Sequence, residues 1–567
     1  MSTTLELTNT LETPKTSEAA SSAPSYTQYS RREVVFTMLA VLLVMLLGSL
    51  DQTIVGTAMP RIIGEFHGID RYTWVTTAYM LTSTVMVPIY GKLSDLFGRK
   101  KIFLVGVALF LAGSALSGAA QSMNQLIAFR AFQGVGAAAL MPIAIAVVGD
   151  LFPPRERGKW QGLTGAIFAL SSVVGPALGG WITENTSWRW VFYVNVPIGL
   201  IALAVLIFLM PSLQKRGVKA RIDYPGAALL ILGSVPILLG LSLAGSQFAW
   251  LSWQTLSLIG GGALVLVGFF FYEAYLERHD MQPIIDPSVF KNSTFSISLV
   301  VASITFMGMF GAVSFLPLYA QGVLGISATN SGLILTPMMI AMVATSIISG
   351  QLVSRTGTYK WATISGMVLA TLGAALLLRL NVQSSYMDMI IAMIVLGLGL
   401  GFSMSLYTLI VQNALPAKIG QATSTLTFFR QIGGTVSLAA MGAVLSSTYS
   451  PAFHSALSAQ IKQIIPTPIL SFFNNPNVLL DANAQHTIAQ KFGAFGAQGQ
   501  ALFNQLMEAV KVGLTQSIHD IFLLSLGLMV IALVAVFFLK EIPLRSGQES
   551  VEDGEEKESV SVPVMMH

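Results

Sequence analysis

Fourteen apolar runs of about twenty residues divide this 567-residue chain, near 34–58, 73–91, 102–120, 125–148, 160–182, 190–210, 224–244, 254–275, 295–320, 331–353, 361–380, 387–411, 424–446 and 519–539. A run of that length crosses a hydrocarbon core of about 30 Å. Inside lipid a chain must satisfy its own backbone N–H and C=O groups, and runs of this length do so as helices. The expected fold class is therefore an all-α polytopic membrane protein with fourteen transmembrane helices. Composition agrees, at 53% hydrophobic and 10% charged. The net charge of +4 does not mark a nucleic-acid surface, because the basic residues sit in short loops beside spans, where they set topology. The absence of cysteine excludes disulfides, thiolate metal sites and cysteine nucleophiles.

An even number of spans returns both termini to one side. With that side taken as the cytoplasm, tails and inside loops hold 22 of the 31 Lys and Arg and outside loops hold 7, the bias expected of a multi-pass protein of the plasma membrane. The Ser/Thr-rich start has no basic stretch followed by a short apolar core, so 1–33 is expected to be a disordered cytoplasmic tail, and 541–567 an acidic one. Between them the expected units are a six-helix bundle over 34–210, two inserted helices with linkers over 211–290, and a second six-helix bundle over 291–540. The last includes a long outside loop, 447–518, too polar to span and open to two readings: an interfacial hairpin or lid, or a passive loop.

The run Gly91-Lys-Leu-Ser-Asp-Leu-Phe-Gly-Arg-Lys-Lys101 packs two glycines, a carboxylate and four cations into one turn between spans. Gly350-Gln-Leu-Val-Ser-Arg-Thr-Gly357 repeats its glycine, leucine and glycine spacing eight spans later, on the same face. Such an echo suggests two parallel halves. The two extra helices then fall at 224–275, which carries no ionisable residue between Asp223 and Glu273 and reads most simply as a lipid-facing spacer.

The Gly91–Lys101 run resembles the signature loop of the major facilitator superfamily, and three further motifs resemble its fourteen-helix drug:proton antiporter branch. Leu50-Asp-Gln-Thr-Ile-Val-Gly-Thr-Ala-Met-Pro60 is similar to that branch's helix 1 motif, with Gly56 and Met59 in place of the usual asparagine and leucine. Arg130-Ala-Phe-Gln-Gly-Val-Gly-Ala-Ala138 resembles the helix 4 arginine motif, and Ser172-Val-Val-Gly-Pro-Ala-Leu-Gly-Gly180 the helix 5 antiporter motif. The resemblance spans the membrane region. It implies the major facilitator fold, and an antiporter that works by alternating access.

Asp51 lies deep in helix 1 and Arg130 at a matching depth in helix 4. A charge at the bilayer centre costs at least about 2.5 kcal/mol, so both should face a cavity or a partner. Burial favours the protonated form of a carboxyl and a neighbouring cation favours the ionised form, which lets a buried carboxylate exchange a proton for cargo. A guanidinium keeps its charge and needs acceptors, for which Asp51 and Gln133 are in reach. Asp51, Arg130 and Gln133 are the expected proton-coupling group; purely structural pairing is the other reading. Gly91, Asp95, Gly98 and Arg99 are expected at an inner gate, with Asp95 at a helix N-terminus, which the resemblance places on helix 13 near Gly420. Arg430 either joins that gate or snorkels. Gly175, Pro176, Gly179 and Gly180 should form a tight, bent helix 5 seam.

Phe306, Phe310, Tyr319, Phe402 and Tyr407 give helices 9 and 12 aromatic surface suited to a lipophilic cargo, unless they face lipid or pack as core. No Gly-x-x-x-x-Gly-Lys-Ser/Thr loop occurs, so energy is expected from a proton gradient, with no cofactor and no bound metal. No nucleophile and base pairing stands out, and an enzyme is not expected. The leading expectation is a monomeric proton-coupled antiporter exporting lipophilic or amphiphilic drugs or toxic compounds, with protons, a small molecule and membrane lipid as its partners. The alternatives are a dedicated single-metabolite transporter for a siderophore or antibiotic and, from another class, a non-transporting receptor or assembly protein.

Overall fold

Apolar runs that cannot hydrogen-bond to lipid close their bonds within themselves, and the computed structural model of the chain is accordingly helical. It describes residues 30–66, 71–211, 222–326 apart from 246 and 280, 334–458 and 496–544; between 459 and 495 it describes 461–462, 465, 469–470, 473–474 and 482–493. The expected disordered start and most of the acidic end lie outside the described residues. The helices are α1 (Arg31–Phe66), α2 (Tyr72–Phe97), α3 (Arg99–Ala119), α4 (Met123–Leu151), α5 (Pro154–Asn185) and α6 (Trp190–Leu209). Then come α7 (Tyr224–Leu243), α8 (Trp253–Arg278), α9 (Ser293–Gly322), α10 (Leu335–Thr356), α11 (Lys360–Leu377), α12 (Tyr386–Ala414), α13 (Ile419–Ala456) and α14 (Gly496–Phe537). Among the described residues thirteen helices are long and apolar enough to cross a membrane. The remaining one, α2, has 26 residues and packs along α4; threonines dilute its apolarity, and Thr82 satisfies its hydroxyl on the Ala78 and Ala131 carbonyls.

Most buried apolar side chains of α1–α6 and of α9–α14 fall into different clusters, with Phe428 of α13 joining the first, so the chain forms two six-helix bundles plus the inserted pair α7 and α8. The bundles repeat each other in their glycine contacts. In the first, Gly136 lies on the backbone of Phe110 and Gly113 on that of Gln133, both joining α3 to α4. In the second, Gly399 lies on the backbone of Ala370 and Gly373 on that of Leu396, joining α11 to α12. Without a side chain each glycine lets two helices approach to backbone contact. Of the inserted pair, α7 packs on α2 and α13, while α8 touches α7 and turns Leu264 (74% exposed) and Phe271 (75% exposed) outward.

The expected outside loop 447–518 is largely helical. Helix α13 continues to Ala456 and α14 begins at Gly496, giving 38 and 42 residues, with a short helix, Ala482–Gly493, before α14. At about 1.5 Å per residue these two helices are some 57 and 63 Å long, well beyond a hydrocarbon core of about 30 Å. Polar residues end the apolar run while one face stays buried: Tyr449, Phe453 and Leu457 of the α13 end meet Leu506, Val510 and Leu514 of α14. Gly513 sits on the Phe453 backbone, and the Tyr449 hydroxyl donates to the Phe473 carbonyl at 2.9 Å.

Candidate functional site

Asp51, Arg130, Gln133 and Asn195 meet inside the first bundle, each at most 1% exposed. They come from three helices, α1, α4 and α6. Arg130 donates through one terminal nitrogen to Asp51 Oδ2 at 2.8 Å and to Gln133 Oε1 at 2.7 Å. Asp51 Oδ1 accepts from Gln133 Nε2 and from Asn195 Nδ2, both at 2.9 Å. Asn195 also donates to Ser114 Oγ at 3.0 Å, and Ser114 passes the chain on to the Phe192 carbonyl. The guanidinium carbon of Arg130 stands 4.0 Å above the Tyr79 ring and 5.7 Å from the Phe192 ring. Three side-chain donors, from Arg130, Gln133 and Asn195, thus converge on this one carboxylate. Asn195, Ser114 and Tyr79 were not foreseen; the visible signal for Asn195 was an amide inside an apolar run, in Val194-Asn-Val-Pro197.

The basic turn meets the start of α13, the helix that the family resemblance implied. Gly98 takes φ 92°, a conformation that glycine adopts without strain, where α2 ends and α3 begins. The Asp95 carboxylate accepts from the backbone N–H of Gln421 at 2.9 Å, in the first turn of α13, next to Gly420. Arg99 joins Asp95 at 2.5 Å, Asp150 at 2.6 Å and Ser94 Oγ at 2.6 Å. Gly91 lies against Ser424. Asp286, in the linker after α8, pairs with Lys92 of the first bundle at 3.3 Å and with Lys418 of the second. Lys100 donates to the Ile207 and Met210 carbonyls at the end of α6, a helix-capping role. On the other side of the same face, Gly350 of the echoing turn meets Gly158 of α5 backbone to backbone. The basic-turn face is thus closed in this structure, with the bundles in contact on both sides.

The helix 5 motif divides. Gly175 and Gly179, one turn apart, lie on Thr53 and on Ile54 and Thr57 of α1, directly after Asp51. Gly180 has no neighbour within 4 Å and Pro176 is exposed, so neither belongs to that seam. Arg430 stands apart from the gate: it is half-buried and turned onto α12, donating to the Met404 carbonyl at 2.8 Å and to Thr408 Oγ1 at 3.4 Å. Phe306 and Phe310 are half-buried, with ring centres 5.1 Å apart beside Gly434. Tyr319 and Tyr407 are buried, the former donating to the Asn381 carbonyl at 2.5 Å, and Phe402 rests on Gly366 of α11. Tyr319 and Tyr407 contribute packing in this arrangement, while Phe306, Phe310 and Phe402 keep part of their surface open.

Two repeated six-helix bundles with an inserted helix pair, a sealed ion network and a glycine-rich closed face are the architecture of a membrane transporter rather than an enzyme. The family model described as Major Facilitator Superfamily matches residues 41–438, and the chain belongs to that family. It is 39% identical over 540 residues to "Multidrug transporter protein MdtP" of Bacillus subtilis (strain 168), covering 94% of this chain and 97% of that one. With "Multidrug resistance protein 3" of the same organism it shares 36% over 517 residues, covering 91% and 96%. Among solved structures it resembles the proton:xylose symporter XylE at a TM-score of 0.54 and 13% identity, covering 92% of this chain and 100% of that one, which speaks for the fold alone.

Proposed function

We propose that the protein is a plasma-membrane antiporter, working as a monomer, which exports lipophilic or amphiphilic drugs or toxic compounds in exchange for protons, with the basic-turn face and both termini in the cytoplasm. The observation that carries this reading is the sealed Asp51 network: a titratable carboxylate wholly withdrawn from solvent, held by Arg130, Gln133 and Asn195. A charge costly to bury is retained where it serves a relay. The two Bacillus relatives are named for multidrug transport, which supports the cargo class. No metal or nucleotide enters the scheme; the proton gradient supplies the energy.

In this scheme the ionised Asp51 belongs to the state with the cytoplasmic face closed. A proton reaching Asp51 removes the negative charge, and Arg130 keeps the Gln133 amide oxygen and the Tyr79 face as its remaining partners. Each hydrogen bond to a charged group contributes about 1.5–3 kcal/mol, so losing the pair is enough to bias two arrangements of α1, α4 and α6. The Gly175–Gly179 contact passes that change from α1 to α5, which meets α10 at the gate. Rocking of α1–α6 against α9–α14 then exposes the cargo path to alternate sides.

The test is dye-driven proton release from proteoliposomes holding purified protein, with ethidium and with neutral N-phenyl-1-naphthylamine. Wild type is expected to exchange protons for dye and Asp51→Asn to remain folded and silent. Wild-type exchange by Asp51→Asn would overturn the assignment of the carboxylate.

A further inference from the structure

Two arginines lie within the membrane-spanning helices away from their ends, and they are treated differently. Arg130 has Asp51. Arg430, eleven residues into α13 and six into its apolar run 424–446, lies about 9 Å inside a hydrocarbon core of about 30 Å. Among the described residues no carboxylate pairs with it. Its acceptors are one carbonyl, of Met404, and at 3.4 Å the Thr408 hydroxyl, while Nε has no partner. A guanidinium cannot shed its charge, and at this depth an unpaired one is expensive. A second group on the same stretch of α12 is also unsatisfied: Tyr407, 0% exposed and next to the Thr408 that accepts from Arg430, has no partner for its hydroxyl. One turn along α13, on the same face, Gly434 leaves room for the Phe306 and Phe310 rings.

We propose that Arg430, with the Tyr407 hydroxyl, binds the acidic group of the cargo, a carboxylate or sulfonate, while the cargo's apolar body rests on Phe306 and Phe310. This deepens the export reading, on which it rests, by assigning the cargo site to anionic or zwitterionic amphiphiles. The geometry matches the chemistry such a molecule presents: two unsatisfied donors for an oxyanion at one end, and aromatic surface about one helical turn away at the other. It also gives each bundle a separate task. Asp51 in the first is already paired with Arg130, whereas Arg430 in the second has, among the described residues, no carboxylate partner and an unbonded Nε.

Binding separates this from transport. Purified full-length protein in detergent would be titrated by equilibrium dialysis, against a protein-free micelle blank, with 1-anilinonaphthalene-8-sulfonate and with N-phenyl-1-naphthylamine, the same aryl body without the sulfonate. Arg430→Gln is expected to weaken the sulfonate by about ten-fold or more and the neutral dye by less than about two-fold, since only the charged partner loses its counter-ion. Arg430→Lys should restore most of the sulfonate binding. Tyr407→Phe, which keeps the packing, should weaken the sulfonate alone and serves where Arg430→Gln fails to fold. Equal loss of both dyes, equal retention of both, or no sulfonate binding by wild type would overturn the proposal. Sulfonate binding without proton exchange driven by that same sulfonate dye in proteoliposomes would sink the export reading and leave this site standing. Proton exchange with ethidium but no sulfonate binding would do the reverse.

Discussion

At the scale of single residues the ion network distinguishes a reactive group from its supports. Asn195 touches Asp51 Oδ1 and Ser114, so Asn195→Ala removes one of three donors without touching the Arg130 pair. Its expected effect is slower dye-driven proton exchange, with a stability loss of about 1.5–3 kcal/mol, in contrast to the silence of Asp51→Asn. Denaturation and flux measured on both variants check this; identical silence would place Asn195 in the relay itself. Asp51 and Arg130 were legible in the sequence because ionisable residues are scarce in lipid and their depth can be counted along a helix. Asn195 was not, because an amide carries a smaller insertion cost than a charge and its neighbours become known only when α6 is placed against α1 and α3. Arg430 was visible as a charge, but its lack of a counter-ion emerges only in three dimensions.

At the scale of helices, glycines set the spacing. A Cβ added at Gly136 would stand 2.7 Å from Phe110 Cα, and one at Gly399 would stand 2.6 Å from Ala370 Cα, in corresponding places of the two bundles. Gly136→Val and Gly399→Val are therefore each expected to destabilise by about 1–3 kcal/mol or more, since backbone yields little to overpacking. Thermal unfolding in detergent would show it, and an unchanged midpoint for either would mean the helices part without cost. The number and order of the helices followed from apolar runs, and the outward continuation of α13 and α14 did not. Apolarity reports where lipid ends, whereas a helix continues for as long as one face remains covered, as the Tyr449, Phe453 and Leu457 stripe is by α14.

At the scale of the whole molecule, the two bundles meet where α2 packs on α13 and α5 on α10. A Cβ at Gly165 would lie 3.9 Å from the Ser346 Cβ across the second of these seams, within the range that a disulfide bridges. In a chain without cysteine, Gly165→Cys with Ser346→Cys is expected to oxidise readily, to stop transport by locking the basic-turn face shut, and to recover on reduction. Mobility on non-reducing gels followed in parallel with flux checks this; full transport by the cross-linked protein would mean that this seam never parts.

The two seams differ in what holds them. On the α2 side stand the Asp95–Arg99–Asp150 cluster and the Lys92–Asp286–Lys418 bridge, while on the α5 side Gly158 and Gly350 meet backbone to backbone, with the Arg155 guanidinium beside Gly357. Dissolved salt acts most on the exposed end of such a network, here Lys418 at 41% exposed, and does not weaken a backbone-to-backbone contact. Raising the ionic strength on that face therefore loosens the closure more along the α2 edge than along the α5 edge, and turns the latter into its axis.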